Sequence, residues 1–161
     1  MKRLFAPLET KPTETRAALA PATVRKLRDL GFAVTVEAGI GVKSDFPDAA
    51  YAAAGAEIVT DAAAAYAQAD LVARVNKPGP EDVARLKPGS LHISFLDPFN
   101  ERELIHDLAK RNIAAISMEM IPRSTLAQKM DALSSQANLT GYAAVILGSD
   151  RMRKILPMMM T

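Results

Sequence analysis

IAAISMEMIPRSTLAQKMDALSSQANLTGY, residues 113–142, is the stretch that decides the fold. Its opening, residues 113–118, is apolar, with β-branched residues, and reads as a strand. Pro122 then turns the chain, because its ring fixes φ and disfavours the helical region for the residue before it. No proline follows until Pro157, so a helix can run on. Between strand and helix stand Arg123, Gln128, Asp131, Ser134 and Ser135, the densest polar run in a chain rich in alanine and aliphatic residues. In open α/β sheets, ligands bind at the carboxyl ends of strands, where side chains and free amides converge. The chemistry is expected at this junction.

The same alternation of strand and helix runs upstream. Strands are expected at residues 1–8, 32–36, 57–59, 71–75 and 90–96. A helix starting near Pro21 carries Val24, Leu27 and Leu30 on one face and ends at Gly31. Shorter helices are expected at 48–54, at 61–69 with Asp61 as its cap, and at 81–86. Another at 101–111 is preceded by a capping stretch, Asp97-Pro98-Phe99-Asn100, and buries Leu104, Ile105, Leu108 and Ala109. Repeated units of this length imply a three-layer α/β domain, a mainly parallel sheet with helices on both faces. Residues 1–133 form that domain and 134–161 a long closing helix, whose basic Arg151, Arg153 and Lys154 suit a helix C-terminus. The apolar end, Leu156 to Thr161, either fills the core or marks a chain cut before a second domain; its composition after Pro157 favours the cut.

Composition narrows the class further. The 161 residues are 49% hydrophobic and 24% charged, ordinary for one soluble domain. A net charge of +2 with scattered basic residues argues against nucleic acid. There is no cysteine, and His92 and His106 lack carboxylates at ligand spacing, so no metal site is expected. No apolar run is long enough to span a bilayer, and a cytoplasmic domain is the default. Gly39-Ile40-Gly41-Val42-Lys43-Ser44 has the look of a phosphate loop, but Ser44 replaces the third glycine of a dinucleotide fingerprint. Val42 and Glu37 occupy the glycine positions of a nucleotide P-loop. A tight turn into a short helix is the better reading.

Three blocks carry a family resemblance: ETRAALAPATVRKLRDLGF (14–32), GIGVKSDFPDAAYAAAGAEI (39–58) and IPRSTLAQKMDALSSQANLTGY (121–142). Together they resemble the N-terminal region of the alanine dehydrogenase and proton-translocating NAD(P) transhydrogenase α-subunit superfamily. The resemblance covers essentially the whole chain. It implies a flavodoxin-like (Rossmann-like) domain, joined by a long interdomain helix to an NAD-binding Rossmann domain not included in these residues. It further implies a homodimer, an NADP-binding partner domain and a membrane subunit, with the soluble part peripheral on the cytoplasmic side of the inner membrane. In the family, the first domain also recovers a segment from beyond the Rossmann domain.

Two positions separate the branches. Alanine dehydrogenases carry a substrate lysine and a histidine where this sequence has Asn76 and Asp97. Arg123, Gln128 and Asp131, followed by Ser134, resemble the Arg-Gln-Asp loop of transhydrogenases. The implied reaction is hydride exchange between NAD(H) and NADP(H), coupled to proton translocation, with the isolated chain inactive. The implied cofactor contacts are Arg123, Gln128, Asp131 and Ser134, with Gln128 and Asp131 closest to the chemistry and no metal. Arg123 and Asp131 also suit a plain surface ion pair, and Ser134 and Ser135 helix caps. Arg16 matches a substrate-carboxylate arginine of the alanine branch but is better read as paired with Glu14. Asn138 and Tyr142 suit either an interdomain cleft or core packing, and Glu119 either a ligand contact or a hydrogen bond to loop backbone. An amino-acid dehydrogenase relative and a non-catalytic dimerisation or regulatory module remain the alternative functions.

Overall fold

The structure, a computed structural model, describes residues 1–154. The two readings of Leu156 to Thr161 fall outside the described residues. Two compact units make up the chain, Met1–Met120 and Ile121–Thr161.

The first unit is a six-stranded sheet: β1 (Arg3–Ala6), β2 (Ala33–Glu37), β3 (Glu57–Val59), β4 (Leu71–Ala73), β5 (Leu91–Ser94) and β6 (Ala114–Ser117). Five helices connect them: α1 (Pro21–Asp29), α2 (Asp48–Ala53), α3 (Ala62–Gln68), α4 (Pro80–Arg85) and α5 (Arg102–Lys110). The order is β3-β2-β1-β4-β5-β6 and every pairing is parallel. This is the doubly wound, Rossmann-like order, with its switch point between β1 and β4. The three-layer α/β expectation holds.

Alternation along the strands builds two cores. Leu4, Ala6, Val34 and Val36 meet Val24 of α1 and Tyr51 of α2 on one face. Phe5 and Val72 meet Tyr66, Val83, Leu86 and Leu108 on the other. Phe5 and Tyr66 pack edge to face with ring centroids 5.1 Å apart. The register carries Leu71, Leu91 and Ala114, then Ala73, Ile93 and Ile116, across β4, β5 and β6 on the α1 side. Within this unit no helix covers that apolar strip, and Ile116 is 41% exposed.

Local chemistry sets the ends. Asp61 caps α3 by accepting from Ala63 N and Ala64 N at 3.0 and 3.2 Å. Gly31 closes α1 with φ 87°, a conformation that favours glycine. The capping stretch expected before α5 is corrected: Glu101 is the N-cap residue and makes no side-chain cap. Instead Asp97 closes a turn, its carbonyl accepting from Asn100 N and Glu101 N and its carboxylate from Asn100 Nδ2 at 2.8 Å. Ala109, expected inside, is exposed; Leu104, Ile105 and Leu108 form the packed face. Leu30 is also exposed, past the end of α1.

The second unit holds a single 3₁₀ turn (Gln128–Met130) and α6 (Ala132–Arg151). The cap assigned to Ser134 and Ser135 is corrected: Asp131 is the N-cap, and α6 begins at Ala132. The expected helix from Ser134 therefore starts a half-turn earlier, because Ala132 and Leu133 are good helix formers behind an acidic cap. No α6 side chain among the described residues is buried; Leu139, Tyr142 and Val145 are all exposed. Among the described residues, no helix is long and apolar enough to cross a membrane.

Candidate functional site

The polar junction folds as a chain of tight turns. Ser124 N donates to Pro122 O at 3.0 Å, Ala127 N to Ser124 O at 3.1 Å, and Met130 N to Ala127 O at 2.8 Å. These turns return the chain so that Asp131 faces both Arg123 and Ser134. Asp131 Oδ1 accepts from Ser134 N at 2.9 Å and Oδ2 from Ser134 Oγ at 2.6 Å. Arg123 Nε lies 4.0 Å from Asp131 Oδ2. The Ser134 hydroxyl, then the Ser134 amide and the Arg123 charge, hold the Asp131 carboxyl below its usual range. Asp131 is therefore an ionised acceptor near neutral pH. Gln128 starts the 3₁₀ turn between Arg123 and Asp131, with its side chain exposed. Three of the four expected residues are thus brought into one cluster, and the fourth projects from the same loop.

The ligand edge of the sheet is occupied differently. At the β1/β4 switch point, Glu9 is buried and accepts from Val75 N at 2.6 Å and Asn76 Nδ2 at 3.0 Å. The same Asn76 amide donates to Glu14 Oε2 at 3.0 Å. Glu14 in turn takes a two-pronged contact from Arg16, Nε and Nη2 each at 2.7 Å. Hydrogen bonds from Arg16 hold the Glu14 carboxyl down to about 2. The Arg16–Glu14 pairing favoured from sequence is present. Beneath it, buried Arg74 bridges Asp82 and Glu9 and touches the Tyr66 hydroxyl. Burial pushes that Tyr66 hydroxyl well above the usual phenol range. Such a carboxylate-rich edge is a poor cradle for pyrophosphate.

The remaining candidates have structural roles. Lys43 Nζ donates to Pro12 O and Glu14 O at 3.2 and 3.3 Å, and Ser44 Oγ to Thr15 O. A Cβ on Gly41 would stand 2.6 Å from Phe46 O and from the Tyr51 ring, so packing demands this glycine. The turn reading of Gly39–Ser44 accordingly accounts for its residues. Glu119 accepts from Leu96 N at 2.9 Å and from Asp97 N, a bond to loop backbone. His106 is exposed, as are Asn138 and Tyr142. A cleft of about 620 Å³ runs beside β2, β3 and α3, lined by Thr35, Glu57, Asp61 and Gln68, and holds none of the candidates. Sequence reasoning missed the Glu9–Arg74–Asp82 network, whose members sit in three separate loops and look like ordinary surface charges. Among the described residues, no group of three His, Cys, Asp or Glu side chains could hold a metal.

The family profile "Alanine dehydrogenase/PNT, N-terminal domain" matches residues 5–140, which takes in both the sheet and the polar junction. The chain belongs to this family. Within the alanine dehydrogenase/PNT N-terminal family, it is 44% identical to the first of the polypeptides that make up the NAD(P) transhydrogenase subunit alpha of Rhodospirillum rubrum. That match covers 99% of this chain and 43% of the relative. It is 31% identical to the alanine dehydrogenase of Bacillus subtilis over 92% of this chain and 38% of the relative. The solved transhydrogenase of Sinorhizobium meliloti superposes with a TM-score of 0.91 at 41% identity, over 99% of this chain and 48% of that one. The chain spans less than half the length of these relatives. As a family member it has the expected α/β sheet, and its relatives place it among proteins with oxidoreductase names.

Proposed function

We propose that this chain is the leading portion of an NAD(P) transhydrogenase α subunit, and that its loop at residues 121–134 closes on NAD(H) held by a following Rossmann domain. The observation that carries the proposal is the Arg123–Asp131–Ser134 cluster with Gln128 projecting beside it. Hydride passes directly between nicotinamide rings, so the protein must orient the rings and exclude water. Asp131, held ionised and rigid by Ser134, is an acceptor for a carboxamide N–H or ribose hydroxyl. Arg123 supplies guanidinium donors toward the carboxamide or phosphates. Gln128, with one donor and one acceptor end, suits the ribose of an NADP(H) bound by a partner domain. Gln128 and Asp131 are the residues assigned to the reaction centre, with Ser134 behind Asp131.

The sheet edge supports the same division of labour. Its loop amides are taken by the chain's own carboxylates, so NAD(H) is held elsewhere and the isolated chain has no turnover. Asn76, bonded to both Glu9 and Glu14, cannot serve as the lysine of an amino-acid site. The uncovered strip over β4 to β6 suits a segment from beyond the following domain. A homodimer, docked at the inner membrane through a membrane subunit on the cytoplasmic side, completes the proposed assembly, which couples hydride transfer to proton translocation.

The test is hydride transfer by the subunit extended through its Rossmann domain and combined with the NADP-binding partner. Gln128→Ala and Arg123→Ala should each lower kcat by about tenfold or more, roughly 1.4 kcal/mol of lost transition-state stabilisation. Unchanged kcat in both variants would overturn the proposal.

A further inference from the structure

Three carboxylates stitch the carboxyl-terminal end of the sheet in the same way. Glu37, ending β2, accepts from Leu8 N just beyond β1 at 2.8 Å. Glu9, beyond β1, accepts from Val75 N and Asn76 N beyond β4, at 2.6 and 3.3 Å. Glu119, beyond β6, accepts from Leu96 N beyond β5 at 2.9 Å through Oε1 and 3.2 Å through Oε2, and from Asp97 N. Each carboxylate pins the loop leaving a neighbouring strand. These are the amides that a doubly wound sheet offers to an anionic ligand.

The Glu119 staple has two added features. Asp97 sits in the left-handed region with φ 53°, an uncommon conformation for a residue with a Cβ. Its amide is therefore held against a local preference, and Glu119 is the group that accepts it. Lys77 extends the tie to the next loop, with Nζ 2.5 Å from Glu101 Oε1 and 4.0 Å from Asp97 Oδ2. The loops after β4, β5 and β6 are thus linked at one corner of the sheet. Glu119 also lies two residues before Ile121, where the segment carrying Arg123 and Asp131 begins.

We propose that Glu119 is a positioning residue: by clamping the β5 loop it fixes the root from which residues 121–131 leave the sheet, and so sets the reach of Arg123, Gln128 and Asp131. This rests on the transhydrogenase reading above. A glutamate in a local turn has no effect beyond Leu96 and Asp97; a root clamp governs the whole segment.

The test compares wild type, Glu119→Gln and Glu119→Ala. Glutamine keeps one carbonyl acceptor, whereas alanine keeps none. Amide hydrogen exchange on the 161-residue chain should rise by about tenfold at Leu96 and Asp97 in the alanine variant, as expected for loss of a charge-assisted bond. It should rise similarly across residues 123–131. In the assembled enzyme the alanine variant should lose about tenfold in kcat with KM for NADH within about twofold, because NADH is held by the other domain. The glutamine variant should recover most of both effects. Faster exchange at Leu96 and Asp97 alone, with residues 123–131 and kcat as in wild type, would overturn the proposal. If the wild-type assembly transfers no hydride, the transhydrogenase reading falls, and exchange at 123–131 still decides the clamp. If the alanine variant fails to fold, wild-type exchange at 123–131 in Glu119→Gln, with Leu96 and Asp97 raised, likewise overturns it.

Discussion

Lowering the pH from 7 to 4.5 should remove about 2.5 kcal/mol of folding stability through His92 alone. The ring is fully buried in β5, bonded through Nε2 to Ser94 Oγ at 3.0 Å, while Nδ1 has no partner. Burial, reinforced by the nearby Arg74 charge and opposed by Asp82, pushes its pKa down to about 4 from the ordinary 6.5. The folded state therefore binds fewer protons than the unfolded chain between these values. Stability is full above about pH 6.5 and falls as pH drops towards 4, at up to about 1.4 kcal/mol per pH unit. Integrated from pH 7 to 4.5, the loss is about 2.5 kcal/mol, a large share of the ~5–15 kcal/mol typical of a domain. Stopping at pH 4.5 leaves Glu14 out of the difference, since its folded value of about 2 makes its contribution decay only below the ordinary carboxylate range. The assay is urea unfolding followed by circular dichroism at several pH values, for wild type and His92→Leu. Leucine matches the ring in size and removes the unpaired Nδ1, so stability at pH 7 should change by less than about 1.5 kcal/mol. The wild-type loss should exceed the variant's by about 2.5 kcal/mol. Equal losses would show that His92 does not titrate as its burial requires.

Arg74→Ala should cost about 3–5 kcal/mol in the same assay, because it strands buried Glu9 and its neighbour Asp82 without their cation; a loss under about 1 kcal/mol would refute the network's weight. Tyr51→Phe removes a buried hydroxyl that donates to Leu19 O at 2.8 Å, so unfolding should show a loss of about 1 kcal/mol. Gly41→Ala should destabilise by about 1–3 kcal/mol through contact with Phe46 O and Tyr51, with no effect on any nucleotide titration. Asp131→Ala should fray the first turn of α6, seen as lower helix content by circular dichroism and faster exchange at the Ser134 amide.

The sheet was legible because its strands are short β-branched runs separated by turn and helix signals. Phe32 to Val36 and Glu57 to Val59 need only local reading. In β5, however, alternation alone gives no reason to prefer His92 and Ser94 as the inward pair over Leu91 and Ile93. The structure buries His92, Ser94 and Leu96 and leaves Leu91 and Ile93 facing the uncovered side. What covers a face is a tertiary matter that strand periodicity cannot supply. At the junction, the residue types were readable but their division of labour was not. Asp131, Ser134 and Ser135 are all good caps, and only the backbone shows that Asp131 takes that place and receives Ser134. Glu9, Glu37 and Glu119 gave no signal of a shared device, since each bonds to amides far off in sequence.

The most direct test of the central claim is titration of NADH, followed by its fluorescence, into this chain alone and into the chain extended through the following domain. Binding by the extended form only is predicted, weakened by Arg123→Ala or Asp131→Ala, as befits a loop that closes over a cofactor held elsewhere. Tight binding by the isolated chain would contradict the claim and return the cofactor site to the Glu9–Asn76 end of the sheet.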